Sequence, residues 1–394
     1  MDVCDHRVLG ARLELYHIQE DAPGMVFWHP RGAALYRVLE NFIRRCMRRA
    51  GYDEIKTPQL LPLELWKRSG HWEKFGETMF ALGEGERRMA LKPMSCPGHL
   101  QIFNQGLKSW RDLPVRYAEF GACHRDEPSG ALHGLMRSRA FEQDDAHVIC
   151  RAEDVFDEVA NFARVLSDIY AQTGFSEWRV ALSTRPAVRA GSDGDWDWAE
   201  QCLGEAAVYA GLEYDVQPGE GAFYGPKLEF ILRDVMGRSW QCGTIQLDMV
   251  LPGRLGASYI GPDGLPAVPL MIHHAIFGSM GRFIGIMLEQ HRGVLPFWLA
   301  PDQVAVAPIA RGQAEYGREV FEVLEDAGVR CVMMDGADTL SRRIVAARER
   351  EIPVMAILGA REQEEKIITL RERDGSQIVV PLGEVALMLA TRKE

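Results

Sequence analysis

Apolar residues recur at helical spacing between positions 32 and 50. Leu35, Val38, Leu39, Phe42, Ile43, Cys46 and Met47 share one face, and Gly51 ends the run. The pattern predicts an amphipathic helix. Tyr52-Asp53-Glu54-Ile55-Lys56-Thr57-Pro58 then reads as a short strand closed by proline, and a second helix is expected over 62–69. Between 115 and 150 the period shortens to two. That predicts two long antiparallel strands, 115–127 and 136–149, interrupted around Pro128-Ser129-Gly130. Helix returns at 152–174, strands dominate 178–250 around one helix near 195–210, and 279–292 is again helical.

The pattern shifts at Leu295-Pro296-Phe297-Trp298-Leu299-Ala300-Pro301. Beyond it the order is strand (304–309), helix (312–327), strand (329–334), helix (339–350) and strand (353–358). This alternation predicts a small α/β module with mainly parallel pairing. A polar hairpin turning at Asp374-Gly375 and a last helix complete it. There is no internal repeat and no low-complexity tract.

The length of 394 residues, 47% hydrophobic and 26% charged, suits a globular chain of two or three domains. Its eight cysteines are scattered, which points to a reducing compartment rather than a disulfide framework. The start, Met1-Asp2-Val3-Cys4-Asp5-His6-Arg7, lacks the apolar core of a signal peptide. No apolar stretch approaches the ~18–20 residues that span a bilayer. A cytoplasmic protein without a membrane partner is expected. A net charge of -11 argues against indiscriminate nucleic-acid coating, and DNA is not an expected partner. Arg44, Arg45, Arg48 and Arg49 cluster late in the first helix, as a solvated face or as a local RNA contact.

Three residues have the chemistry of a metal site with an open position: Cys96 in Lys92-Pro93-Met94-Ser95-Cys96-Pro97-Gly98-His99, His147 in Gln143-Asp144-Asp145-Ala146-His147, and His273 in Met271-Ile272-His273-His274. Catalytic zinc typically takes three protein ligands, whereas structural zinc takes four. Spacing alone leaves a second reading open, a buried thiol and two hydrogen-bonded histidines. The segment 115–150 is unusually charged for a half-buried sheet, with Arg116, Glu119, Arg125, Glu127, Arg137, Arg139, Glu142, Asp144 and Asp145. Guanidinium forks suit phosphate, yet the same pattern fits a ladder of ion pairs on a wet face. A further arginine, Arg282, follows Gly278-Ser279-Met280-Gly281 where the chain enters a helix. Neither a Walker-type loop nor a convincing Gly-x-Gly-x-x-Gly occurs, so a nucleotide would be held by arginines on an antiparallel sheet.

These residues resemble a family. Pro58 closing the first strand is similar to motif 1 of the class II aminoacyl-tRNA synthetases. Phe120-Gly121-Ala122-Cys123-His124-Arg125-Asp126-Glu127, followed by Arg137 and Phe141, resembles motif 2, and Gly278-Ser279-Met280-Gly281-Arg282-Phe283 resembles motif 3. Within that class the chain resembles the threonyl-tRNA synthetase family, in a form starting without the N-terminal and editing domains. The run at 92–99 carries this, with Gly219-Glu220-Gly221-Ala222-Phe223-Tyr224-Gly225-Pro226-Lys227 and Trp240-Gln241-Cys242-Gly243-Thr244-Ile245-Gln246-Leu247-Asp248. The resemblance implies an α+β fold: a class II antiparallel-sheet catalytic domain over 1–297, then a small α/β anticodon-binding-type domain over 298–394.

It also implies ATP-dependent activation of L-threonine and transfer to threonine tRNA, by a homodimer built through the motif 1 helix and strand. Cys96, His147 and His273 would hold one zinc per chain, with Met94, Gln143, Asp145, Tyr224 and Gln246 around the threonine and Asp145 on its ammonium. Arg125 would meet the α-phosphate of ATP, Glu127 and Phe141 the adenine, and Arg137 and Arg282 the outer phosphates. Lys227, Gln241, Thr244 and Ser279 would lie nearby, and Mg²⁺ would accompany ATP. His71 would stand near the terminal ribose of tRNA, or else simply stack beside Trp72. The alternative is a paralogue that passes threonine to a carrier protein or small amine. A third reading is a regulatory RNA-binding protein that kept the fold.

Some positions depart from the family pattern. Gly281 stands where glutamate is common, His274 where arginine is, and Asp335-Gly336-Ala337-Asp338 where an Arg-Asn-Glu stretch is. The tail over 301–394 counts 13 Lys/Arg against 17 Asp/Glu, so phosphate attraction alone would not hold an anticodon stem. Docking is expected through Arg342, Arg343, Arg371 and Arg373, with Glu362 also near the anticodon.

Overall fold

The computed structural model describes residues 3–336 and 338–392, without the side chain of Glu86. Met1, Asp2 and Ala337, which entered the readings of the N-terminus and of the 335–338 departure, lie outside the described residues. The chain divides into two compact units: Met1–His17, Phe27–Leu39 and Leu288–Glu394 form one, Ile18–Val26 and Glu40–Met287 the other. Among the described residues no helix is long and apolar enough to cross a membrane.

Helix α1 (His6–Arg12) begins at Asp5, whose carboxylate accepts from the Arg7 backbone N–H and pairs with the Arg7 guanidinium. Helix α2 (Pro30–Arg49) is the predicted amphipathic helix and buries Leu35, Leu39, Phe42, Ile43 and Met47. Helix α3 (Cys96–Phe103) is not legible from propensity, since Pro97 and Gly98 are poor helix formers. Proline is tolerated in the first turn, where its missing N–H had no partner to lose. Gly98 leaves space for Thr57, whose side chain would lie 3.0 Å from an added Cβ.

The larger unit is organised by a central sheet, eight-stranded among the described residues. In chain order its strands are β1 (Asp53–Glu54), β2 (Val115–His124), β3 (Ala140–Cys150), β4 (Arg179–Ser183), β5 (Asp215–Gln217), β6 (Lys227–Arg233), β7 (Ser239–Asp248) and β8 (Leu270–Ala275). They run in the order β5-β4-β6-β7-β8-β3-β2-β1. Pairing is antiparallel throughout, except that β5 joins β4 and β1 joins β2 in parallel. The two long strands are shorter than alternation predicts. β3 begins at Ala140 rather than at Met136, which with Leu135 is buried in the preceding loop.

Helix α4 (Val155–Gln172) buries Val159, Phe162, Leu166 and Ile169, each contributing roughly 1.5–3 kcal/mol of apolar burial. Its Tyr170 hydroxyl donates to the Ile276 carbonyl at 2.8 Å and accepts from the Gly243 N–H at 2.9 Å, tying β7 to the segment after β8. Helix α5 (Asp193–Tyr209) follows β4, and α6 (Met280–Gln290) follows β8.

In the other unit, β9 (Val304–Pro308), β10 (Cys331–Met333) and β11 (Val354–Leu358) pair in parallel, as the alternation predicts. The last two strands, β12 (Ile367–Glu372) and β13 (Gln377–Pro381), form the antiparallel hairpin around Asp374-Gly375. Val304 and Val306 pack with Val320 and Leu324 on one face, while Ala305 and Ala307 pack with Ala347 on the other. Burial on both faces is why β9 and β11 read as continuous apolar runs rather than alternating ones.

Candidate active site

Strand register brings the site together. His147 on β3 stands directly opposite His273 on β8, and His273 stands opposite Gln246 on β7. Gln246 in turn faces Lys227 on β6. One row across four strands thus carries four of the residues singled out in the sequence. Asp145 lies two residues before His147, on the same face of β3, because side chains alternate along a strand.

Cys96 joins the two histidines from the first turn of α3. Its sulfur and one nitrogen of each imidazole all lie within 4.8 Å of one another. His147 Nε2 and His273 Nδ1 are 3.0 Å apart, which marks them as the inward atoms. The outward nitrogens have partners of their own: His273 Nε2 meets Asp248 Oδ2 at 2.8 Å, and His147 Nδ1 meets His99 Nδ1 at 2.8 Å. Metal-ligating histidines usually hold their second N–H in this way. Burial pushes the His147 imidazole well below its ordinary value, leaving the neutral form a metal requires. Burial, with Asp145 and Asp248 nearby, pushes the Cys96 thiol well up. A buried sulfur beside two carboxylates lacks positive charge, and one thiolate with two imidazoles is a zinc-type donor set. The residues fit a zinc ion. Asp5, His6 and Glu289 also cluster, but there His6 donates its backbone N–H to Glu289 while Asp5 caps α1, an internal lock.

Beside the triad opens a cleft of about 480 Å³. Its wall includes His273 and the expected threonine neighbours Met94, Gln143, Asp145, Tyr224 and Gln246. The Tyr224 hydroxyl donates to Gln246 Oε1, and its ring stacks on His273 with centroids 4.9 Å apart. Asp145 Oδ2 accepts from the Ser95 N–H at 3.1 Å, and burial raises its pKa.

The expected nucleotide residues line the same cleft. Arg125 lies over Phe141, 5.1 Å from the ring centroid, and donates to the Pro93 carbonyl. Arg137 pairs with Glu127 at 2.9 Å. Arg282 donates to the carbonyls of Met136 and Gln241, and burial lowers its pKa. Gln241 Nε2 donates to Thr244 Oγ1 at 2.6 Å, and Lys227 pairs with Glu229. Ser279 precedes α6, and Gly278 before it adopts φ +73 with an added Cβ 2.6 Å from the Cys242 carbonyl oxygen. Three consecutive N–H groups, of Ile276, Phe277 and Gly278, donate to Asp144, holding this turn against the sheet. A Cβ added at Gly281 would meet nothing nearer than the Leu135 carbonyl oxygen at 3.7 Å, so the backbone there does not itself demand glycine.

His71 stands apart from the cleft wall. It is fully buried, with Nδ1 2.8 Å from Ser69 Oγ and Nε2 3.5 Å from Cys96 Sγ, and its ring packs against Trp66, Phe75 and Phe223. Burial lowers its pKa to about 3. Lys74, Thr78 and Trp240 line the cleft without having been singled out. Trp240 opens the run 240–248, and an aromatic in that run was the available signal. The charged segment divides residue by residue, since Arg116 pairs with Glu158 while Arg125 faces the cleft. On α2, Arg44 is occupied by Glu40 and Glu54. In the C-terminal unit, Arg343 is buried and donates to the Pro308 and Met334 carbonyls, and Arg373 to those of Leu295 and Glu351. Glu362 is bonded to the Gly359 N–H and to Thr369. These three are framework contacts, while Arg342 remains exposed.

Residues 79–291 match the tRNA synthetase class II core domain (G, H, P, S and T), and residues 303–392 match an anticodon binding domain. The chain belongs to the class II tRNA synthetases of that group. The threonine–tRNA ligase of Rickettsia akari (strain Hartford) is 50% identical over 391 residues, 99% of this chain and 62% of the relative. That of Nitrosomonas europaea is 50% identical over 371 residues, 94% of this chain and 58% of the relative. A crystal structure described as the RNA binding domain of threonyl-tRNA synthetase from Cryptosporidium parvum Iowa II superposes with a TM-score of 0.95 at 39% identity, covering 98% of each chain. A putative threonyl-tRNA synthetase from Aeropyrum pernix gives 0.82 at 28%, covering 99% of this chain and 96% of that one. Within the class, this places the chain in the threonyl-tRNA synthetase family. It spans about three fifths of the curated relatives' length, 62% and 58% in the two cases given.

Proposed function

We propose that this chain activates L-threonine with ATP and transfers it to the 3′ end of threonine tRNA. The observation that carries the reading is the meeting, in one cleft, of a zinc-type triad edge with the Arg125–Arg282 pair. A catalytic domain over 1–297 and an anticodon-binding domain over 298–394 are inferred, in keeping with the two family matches.

In the first step a threonine carboxylate oxygen attacks the α-phosphorus, the bond to the bridging oxygen breaks, and pyrophosphate leaves. Arg125 would hold the α-phosphate, with Arg137 and Arg282 on the outer phosphates and Mg²⁺ sharing their charge. Phe141 offers its ring face to adenine, beside Glu127. Gln241, Thr244, Ser279 and Lys227 would orient the nucleotide. Cys96, His147 and His273 would hold zinc, which when bound accepts the amine and hydroxyl of threonine. Valine lacks the hydroxyl, and a site built around a hydroxyl can reject such an analogue by ~10⁴–10⁵. Asp145 would accept from the substrate amine, with Gln143, Tyr224, Gln246 and Met94 closing the pocket. In the second step the terminal ribose hydroxyl attacks the acyl carbon and AMP leaves. His71, buried beside Ser69 and Cys96, is the candidate proton acceptor.

A homodimer is inferred through α2 and β1. They border a cavity of about 390 Å³ whose wall mixes Ile43, Met47, Tyr52 and Phe120 with charged residues such as Arg44, Arg48, Asp53 and Glu54. A cytoplasmic location is inferred from the scattered free thiols. Passing threonine to a non-tRNA acceptor is the second reading, favoured by the internal occupation of Arg343, Arg373 and Glu362.

The test is threonine-dependent exchange of pyrophosphate into ATP, followed by charging of threonine tRNA. Purified protein should hold about one zinc per chain, and Cys96→Ser should lose metal and exchange together. Exchange without tRNA charging would move the reading to the altered acceptor. Full exchange by metal-free protein would overturn the zinc assignment.

A further inference from the structure

The two histidines of the proposed zinc centre are supported differently. His273 Nε2 meets a carboxylate directly, that of Asp248, which is itself held by the N–H groups of Val250 and Leu251. His147 Nδ1 instead meets another imidazole, His99, edge to face with centroids 4.5 Å apart. His99 Nε2 then reaches Glu119 Oε2 at 3.2 Å. Glu119 also accepts from Lys92 Nζ at 3.0 Å on both oxygens and from the Thr57 N–H at 2.7 Å. His147, His99, Glu119, Lys92 and Thr57 are all buried.

Two Nδ1 atoms 2.8 Å apart must share one proton. Two lone pairs would repel, and so would two N–H groups. If the proton sat on His99 Nδ1, a neutral His99 would turn the lone pair of Nε2 toward the Glu119 carboxylate. His147 would then carry its proton on Nε2, the atom that faces His273. With the proton on His147 Nδ1, both outer contacts are a donor meeting an acceptor: His147 Nδ1–H to His99 Nδ1, and His99 Nε2–H to Glu119. His147 Nε2 and His273 Nδ1 meanwhile turn two lone pairs toward each other at 3.0 Å, an arrangement that a cation between them satisfies. His147 Nε2 is then a free lone pair aimed at Cys96 and His273.

We propose that His99 and Glu119 are positioning residues that fix His147 as the Nδ1–H tautomer and so prepare its Nε2 for the metal. Lys92 and Thr57 hold Glu119 in place. The inference rests on the zinc reading of Cys96, His147 and His273. It extends the site to Thr57, which precedes Pro58, and to Glu119 in the middle of β2. Removing an outer partner of a ligating histidine typically weakens metal binding about 10–100-fold.

The experiment measures the zinc dissociation constant of the full chain, stripped of metal and titrated against a chromophoric chelator. His99→Phe keeps an aromatic ring but neither accepts nor donates, and should weaken zinc about 10–100-fold. His99→Gln can accept from His147 and donate to Glu119 at once, and should stay close to the unaltered chain. Glu119→Leu should weaken zinc, whereas Glu119→Gln, whose amide oxygen still accepts from His99, should do so less. Urea midpoints of the metal-free variants separate loss of affinity from loss of fold, and the Glu119 pair decides the matter if His99→Phe does not fold. Unchanged affinity in His99→Phe and Glu119→Leu, with zinc lost in Cys96→Ser, would overturn the relay alone. Zinc retained in Cys96→Ser would overturn the zinc reading beneath it.

Discussion

Lys92→Met tests the buried network most directly. Lys92 Nζ sits 3.0 Å from both oxygens of Glu119, with side chains 1% and 2% exposed. At an effective dielectric of ~20 the Coulomb attraction at this separation is about 5 kcal/mol, largely offset by the desolvation of both groups. The substitution therefore measures mainly the cost of leaving Glu119 charged, buried and short of a partner. Such losses run to about 3–5 kcal/mol. Thr57 and His99 still donate to Glu119 in the variant, so the lower end, about 3 kcal/mol, is expected. Lys92→Met combined with Glu119→Gln removes the orphaned charge and should recover about 1–2 kcal/mol of that loss. Urea unfolding followed by tryptophan fluorescence, with chelator present so that metal binding adds nothing, reads both values. Seven of the nine tryptophans lie in the unit that holds the network, so its transition dominates the signal. A single variant within about 1 kcal/mol of the unaltered chain, or a double variant no more stable than the single, would refute the reasoning.

Arg125→Ala should lower threonine-dependent pyrophosphate exchange by about 10²–10³, the usual effect of losing one preorganised donor at a developing charge; retained exchange would remove Arg125 from the phosphate site. Gly278→Ala should cost about 1–2 kcal/mol from its left-handed backbone alone, with more from the contact with the Cys242 carbonyl, and an unchanged thermal midpoint would contradict that. Burial by itself would raise the Glu119 carboxyl, but hydrogen bonds from His99 and Thr57 and the Lys92 ammonium outweigh it and hold it at about 2. A lowered carboxyl stabilises the fold fully above its ordinary value of 4.5, and that contribution is lost as pH falls toward about 2. Glu119→Gln should flatten this acid arm of the stability curve, and superimposable acid profiles would show that Glu119 does not supply it.

By itself the sequence determined the elements whose packing face repeats along the chain. The stripe from Leu35 to Met47 predicted an amphipathic helix, and the strand–helix alternation after 301 predicted a small α/β module with strands at 304–309 and 353–358. It also supplied the donor atoms, because thiol, imidazole and guanidinium chemistry travels with the residue type. Long motifs such as 92–99 and 240–248 carried the family as well. Local spacing could not show that His147 stands opposite His273, 126 residues away. Cross-strand register is set by hydrogen bonds between distant segments, which leave no periodic trace in either one. Helix α3 escaped for a related reason: proline and glycine disfavour helix locally, and the space beside Thr57 that calls for Gly98 exists only once the chain has folded. Glu119 illustrates the limit most sharply. In the sequence it is one charge among ten in the segment 115–150. In the fold it is buried with Lys92, Thr57 and His99, because low exposure forces every charge to find a partner, and only tertiary structure decides which one.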